Sequence, residues 1–217
     1  MRRTNEGFSL IELLVVITII AALAAGGTVF VRIANKNRDK TITKQRLLAI
    51  STALESVKKE LGYFPPTYTR ELKAPGGTEK IGEKVGVPNE TNIGIETLYV
   101  AFNMTGVNPD MQGLGDNALA NTDDDQVAEL IGRMQLTELF EYVDTWGNPL
   151  VYIVGKDYKD PSKVEKYLLG DEKTEVKVAA KKGGKTGQFV DAQRYQLFSL
   201  GADGQPGTDD DIHWNDQ

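Results

Sequence analysis

Cysteine is absent from the chain and histidine occurs once, as His213. The first absence excludes disulfides, thiolate metal sites and cysteine nucleophiles. The second removes most imidazole catalysis and any multi-histidine zinc centre, and His213 itself reads as a surface residue near the C-terminus. Positive charge is also short: 25 Lys and Arg against 31 Asp and Glu leave a net charge of −6. A general nucleic-acid binder needs a basic surface to displace counterions from phosphates, so that class is not expected. Nor is there a nucleophile motif, a phosphate-binding loop or a histidine pair, and an enzyme is not expected.

What is present is unevenly spread. The 217 residues suit one ordinary domain with an appendage. Phe8 to Val31 is a run of 24 positions in which Glu12 is the only charge, enough helix to cross a hydrocarbon core about 30 Å thick. Arg2 and Arg3 before it, with Ala21, Ala22, Ala24, Ala25 and Gly26 at its far end, imitate a cleavable secretory signal. Glu12 argues against that reading, because an acid inside an apolar segment is expensive and has a partner assigned to it. Beyond Ile42, the positions Leu47, Ile50, Leu54, Val57 and Leu61 alternate spacings of three and four, which predicts an amphipathic continuation of the helix. Gly62, Pro65 and Pro66 end it.

Further on, residues 65–88 read as an irregular connection. Ile95, Leu98, Tyr99 and Phe102 predict a helix over Ile93 to Phe102. A second helix is expected from Thr122 as N-cap, with Asp123, Asp124 and Asp125 in its first turn and Val127, Leu130, Ile131 and Met134 following. Strands are signalled at Leu150 to Val154, Lys166 to Leu169, Glu175 to Val178 and Gln193 to Ser199, which together suggest one small antiparallel sheet. The lysine-rich stretch Lys173 to Lys185 reads as an exposed hairpin or loop. Helices first and strands last make an α+β arrangement. Asp144-Thr145-Trp146-Gly147-Asn148-Pro149 reads as a turn with a buried indole, leading from a helical stretch into a strand.

Near the C-terminus, Asp203, Asp209, Asp210 and Asp211 place four carboxylates within nine residues of a glycine-rich segment. Hard cations take six to eight oxygen ligands, and glycine lets carbonyls turn inward to complete such a shell. The spacing is not that of an EF-hand. Leu114-Gly115-Asp116 with Thr122-Asp123-Asp124-Asp125 repeats the pattern as a second ion site, although helix capping explains it more simply.

Gly7-Phe8-Ser9-Leu10-Ile11-Glu12-Leu13 closely resembles the processing motif of type IV pilins and type II secretion pseudopilins. The resemblance implies that residues 1–7 are a leader removed after Gly7 by a prepilin peptidase, that Phe8 becomes N-methylated, and that Glu12 serves assembly. A neighbour's Glu12 neutralises the new amine of Phe8 in a filament core of low dielectric. Repeated head to tail, that contact builds a helical filament and not a ring. The Asp144 to Pro149 turn and the C-terminal acidic loop are similar to those of major pseudopilins. They imply calcium held by Asp203, by one or two of Asp209, Asp210 and Asp211, and by the carbonyls of Leu200 and Thr208.

The implied architecture is pilin-like. A helical spine over 8–62, transmembrane over 8–31, is followed by a connecting region over 63–143 and a sheet region with its calcium loop over 144–217, the sheet packing on the outer half of the spine. The implied partners are copies of the chain, the peptidase, an inner-membrane secretion or pilus assembly platform, and minor pseudopilins. The implied location is a single pass through the inner membrane with a periplasmic C-terminal domain, then an envelope filament. Arg32, Lys36, Arg38, Lys40, Lys44 and Arg46 after the span outnumber Arg2 and Arg3 before it, which by the positive-inside rule alone would place the C-terminal part in the cytoplasm. The processing motif, whose cleavage site must face the cytoplasm, overrides that statistical rule. The alternatives are a type IV pilus or competence-type pilin and, from another class, a membrane-anchored metal-dependent enzyme.

Overall fold

The structure, a computed structural model, describes residues 10–77, 89–127, 136–160, 165–169, 174–183 and 187–215. Its first element, α1, is the 52-residue helix Leu10–Leu61. Gly62 stops it by taking φ of +83°, a backbone open to glycine at little cost, while its N–H closes the last turn on the carbonyl of Lys58 at 2.8 Å. By internal contacts the chain divides into two units, Met1–Asp39 and Lys40–Gln217.

In the first unit the described apolar side chains face outward: Leu10 is 82% exposed and Leu23 is 70% exposed. No helix among the described residues is long and apolar enough to cross a membrane. The expected span, 8–31, takes in residues 8 and 9 and the side chains at 22 and 24–30, which lie outside the description. The uninterrupted run from Leu10 to Ala21 is about 18 Å of helix.

The second unit is organised around the apolar stripe that the periodicity predicts. Leu47, Ile50, Leu54, Val57 and Leu61 are buried. They join Phe64, Leu98, Phe102, Tyr152, Tyr195 and Leu197 in one core. Ser51 Oγ and Tyr195 Oη share a hydrogen bond of 2.8 Å there. Arg46 is not a surface cation flanking a membrane segment. It is buried and donates to the carbonyls of Leu114 at 2.8 Å, Val143 and Asp144 at 2.9 Å each, and Asp116 at 2.5 Å.

After a 3-10 turn at Thr69–Glu71 comes α2, Ile93–Thr105, which buries Ile95, Leu98 and Phe102 as expected. A single turn, α3, follows at Met111–Leu114. The expected helix from Thr122 is absent up to Val127, beyond which residues 128–135 lie outside the description. Asn121 accounts for the difference. Its side chain accepts from the N–H of Asp125 at 3.0 Å and donates to that residue's carbonyl at 2.9 Å, while Asp124 takes φ of +61°. The side chain thus offers the backbone a turn in place of a helix.

Where the sequence suggests one sheet, three small antiparallel ones form among the described residues. Strands β1 (Leu119–Ala120) and β2 (Glu141–Tyr142) pair with each other. Strands β4 (Glu165–Leu169) and β5 (Thr174–Val178) make a ribbon that takes in the part of the lysine-rich stretch expected as a strand. The central sheet has the order β3 (Val151–Val154), β6 (Tyr195–Ser199), β7 (Ile212–His213), with Val151 opposite Phe198 and Ser199 opposite Ile212. Strand β7 was not expected, and it corrects the reading of His213. The ring is buried, stacks on Phe198 with centroids 4.7 Å apart, and places Nε2 3.0 Å from Lys181 Nζ. The result is an α+β unit whose sheets and helix α2 enclose the second half of α1.

Candidate assembly and cation-binding sites

Of the processing residues, Gly7 and Phe8 lie outside the described residues. Glu12 stands in the first turn of α1 with an exposed side chain, among the exposed Leu10, Ile11, Leu13 and Leu14.

The Asp144 turn is built around its acid, not its indole. Asp144 Oδ1 accepts from the N–H groups of Trp146 and Asn148, both at 2.9 Å, and Oδ2 accepts from Ser199 Oγ at 2.7 Å. Trp146 is only half-buried, which corrects the expectation of a buried ring. The segment before the turn is extended, β2, and not helical. Burial pushes the Asp144 carboxyl up to about 6, against the pull of these hydrogen bonds and of Arg46. Asn148 reaches the C-terminal loop by donating to the carbonyl of Gly201 at 3.1 Å, and the N–H of Gly201 donates to Ser199 Oγ at 3.0 Å. The Asp144 turn and the C-terminal acidic loop are therefore in contact.

Within the loop, Asp210 is the organiser. Its Oδ2 accepts from the N–H groups of Ala202 at 2.8 Å and Asp203 at 3.2 Å, and its Oδ1 accepts from Thr208 Oγ1 at 2.6 Å. Burial works to raise this carboxyl, but the bonds from Thr208, Asp203 and Ala202 outweigh it and hold the group below its ordinary range. Gly201, at φ of +68°, faces it so closely that a Cβ there would lie 2.5 Å from Asp210 Oδ2. Asp203 Oδ1 accepts from the N–H of Gln205 at 2.8 Å, and Asp211 Oδ2 from the N–H of Gly207 at 2.8 Å. Asp211 Oδ1 is buried with no hydrogen-bond partner. Asp209 is exposed, Thr208 half-buried and Leu200 buried. An all-oxygen loop with one orphaned carboxylate atom fits a hard cation such as calcium. Asp210, with both oxygens taken by loop donors, fits the role of staple.

A second acidic group draws Asp123 and Asp125 from the stretch that the sequence offers as a second ion site and joins them to Glu96 and Glu141, which the sequence reading does not single out. Glu96 on α2, Asp123 in the Asn121 turn and Glu141 on β2 each bring a carboxylate oxygen within 4.8 Å of the others. Glu141 accepts from Asn92 Nδ2 at 3.2 Å and from the N–H of Thr122 at 2.8 Å. Asn89 Nδ2 donates to Asp123 Oδ2 at 3.1 Å and to Asp125 Oδ1 at 2.5 Å. Burial, then the charges of Asp123, Glu141 and Asp125, push the Glu96 carboxyl far up. Burial likewise raises Glu141, and burial with Asp123 brings Asp125 to about 6. The available signal was a lone acid in each of two apolar stretches, Ile93 to Phe102 and Leu139 to Val143.

Compared with known proteins, the chain matches no curated protein and no solved structure. Residues 2–28 match the prokaryotic N-terminal methylation motif, which marks the chain as a type IV pilin-like prepilin and implies cleavage by a prepilin peptidase and assembly into filaments.

Proposed function

We propose that the chain is a structural subunit of a type II secretion pseudopilus, a short envelope filament that drives protein export, and not an enzyme. The observation that carries the reading is Glu12, set in the methylation motif at the start of a helix whose described apolar side chains from Leu10 to Leu23 are all exposed. In this reading lipid covers that surface first and neighbouring copies cover it in the filament. The precursor spans the inner membrane once through 8–31 with its C-terminal unit in the periplasm, and the assembly platform and minor pseudopilins are its partners. Glu12 then meets the methylated amine of a neighbour's Phe8, so that two unfavourable burials become one ion pair.

A secretion pseudopilus is favoured over a type IV pilus or competence-type pilin by the hydrogen bonds joining the Asp144 turn to the Gly201 loop. Calcium in that loop would be held by Asp211 and Asp203 with carbonyls of Leu200 and Thr208, while Asp210 shapes the backbone and Asp209 stays outside. Such an ion adds a cross-link to a unit without disulfides.

The test is Glu12→Lys in the producing cell. Filaments and protein export should be lost while membrane insertion and leader removal persist. Filaments and export at the level of the native chain would overturn the reading. Loss of surface pili with export intact would move the chain to the type IV pilus alternative.

A further inference from the structure

Four carboxylates gather between α2 and β2, and the hydrogen bonds of this region leave a specific set of oxygens without partners. Glu96 is 0% exposed, and neither Oε1 nor Oε2 has a hydrogen-bond partner. Asp123 Oδ1 and Asp125 Oδ2 are likewise buried and unpartnered. The charges that act on Glu96 are those of Asp123, Glu141 and Asp125, all acidic. An ionised carboxylate removed from water without a partner is strongly destabilising, so this arrangement calls for a counter-charge.

The surroundings look built to receive one. Asn89 bridges Asp123 and Asp125, Asn92 and the N–H of Thr122 fix Glu141, and one oxygen each of Glu96, Asp123 and Glu141 lies within 4.8 Å of the others. Asn92 is itself anchored, its Oδ1 accepting from the N–H of Leu168 at 3.1 Å. Asn89 takes one oxygen each of Asp123 and Asp125 and leaves the other open, whereas Glu141 has a donor on each of its oxygens.

We propose that Glu96, Asp123, Asp125 and Glu141 form a calcium site in the second unit, separate from the C-terminal loop. The donor set is oxygen only, which excludes a preference for zinc, copper or nickel. Calcium suits it better than magnesium, because four gathered carboxylates match a flexible shell of six to eight oxygens, whereas magnesium retains several waters and is bound through one or two carboxylates. Glu96, with both oxygens open, is the bidentate ligand. The half-exposed Asp123 is the entry side. The ion ties α2 and β2 to the Asn121 turn, which have no disulfide to join them. This site does not depend on the filament reading.

The competing arrangement is a proton shared between Glu96 and Glu141, and the experiment separates the two. Full-length chain in detergent, carrying Asp203→Asn and Asp211→Asn to disable the C-terminal loop, is stripped with chelator and titrated with calcium chloride alone by calorimetry. The expected result is one calcium per chain. A hundredfold excess over the dissociation constant should raise the melting temperature by about 5 °C. Adding Glu96→Gln should abolish both effects, while the chelated Glu96→Gln chain melts no lower than its chelated parent because the amide replaces an acid that has no partner in the empty site. Asp123→Asn, at a half-exposed position that tolerates change, should weaken binding at least tenfold. Absence of calcium binding in the loop variant, as a shared proton requires, would overturn the proposal. So would calcium binding that survives Glu96→Gln, or magnesium binding in place of calcium.

Discussion

The two units meet water in opposite ways although one helix runs through both. From Leu10 to Leu23 the described apolar side chains are exposed on every side. From Leu47 to Leu61 one stripe, Leu47, Ile50, Leu54, Val57 and Leu61, is buried in the chain's own core, and the other faces are mostly polar, with Leu48 exposed. A helix that is apolar all round needs surroundings that the chain does not supply, whereas an amphipathic one carries its own. The difference teaches where each part's stability resides. The second unit is stabilised from within; in the function proposed above, lipid or copies of the chain cover the first.

The largest expected effect would come from breaking the second unit's internal bracing. Arg46→Ala leaves four carbonyls short of a donor in a buried place and should cost about 3 to 5 kcal/mol in denaturant unfolding. Leu54→Ala should cost about 2 to 5 kcal/mol, the usual penalty for emptying a core position. Leu13→Ala, on the exposed surface of the first unit, should change that same unfolding by less than about 0.5 kcal/mol. Equal losses at Leu13 and Leu54 would erase the contrast between the units.

Acidity sharpens the picture next. Asp144 has a folded-state pKa of about 6, above the roughly 3.9 of an unfolded aspartate. Between these values the folded state binds more protons than the unfolded one, so its contribution is fully present below pH of about 4 and is lost as pH rises through about 6. Relative to Asp144→Asn, the native chain should lose on the order of 2 to 3 kcal/mol across that window, measured by denaturant unfolding at each pH. Gly201→Ala should cost about 1 to 3 kcal/mol, because its methyl meets Asp210 and its backbone favours glycine. Within the second unit the smallest change is expected at the ion pair of Lys156 with Glu71, 2.7 Å long and on the surface. Lys156→Ala should alter stability by under about 1 kcal/mol, and less in high salt.

Periodicity made the stripe of Leu47 to Leu61 and the helix over Ile93 to Phe102 legible before any coordinates, because burial there follows directly from spacing. Strands β3 to β6 were legible for a similar reason, as short β-branched and aromatic runs between turns. The stretch after Asn121 was not, since acids that cap a helix also suit a turn in which asparagine substitutes for backbone. Arg46 was counted with the basic residues after the apolar run. Nothing local distinguishes a cation in water from one that donates to carbonyls about 70 and 100 positions away. Glu96 escaped notice because a pattern built from apolar positions passes over the acid between them. The C-terminal loop was legible as an acidic glycine-rich segment, but the different tasks of Asp209, Asp210 and Asp211 depend on which backbone N–H groups each one meets.

The central claim, that the apolar helix stays attached to the unit it carries and serves assembly, is tested most directly by mass analysis of the mature N-terminus. The account predicts a chain that begins at Phe8 and carries one added methyl group on its amine. A chain beginning near Gly26, with the apolar segment removed, would contradict it.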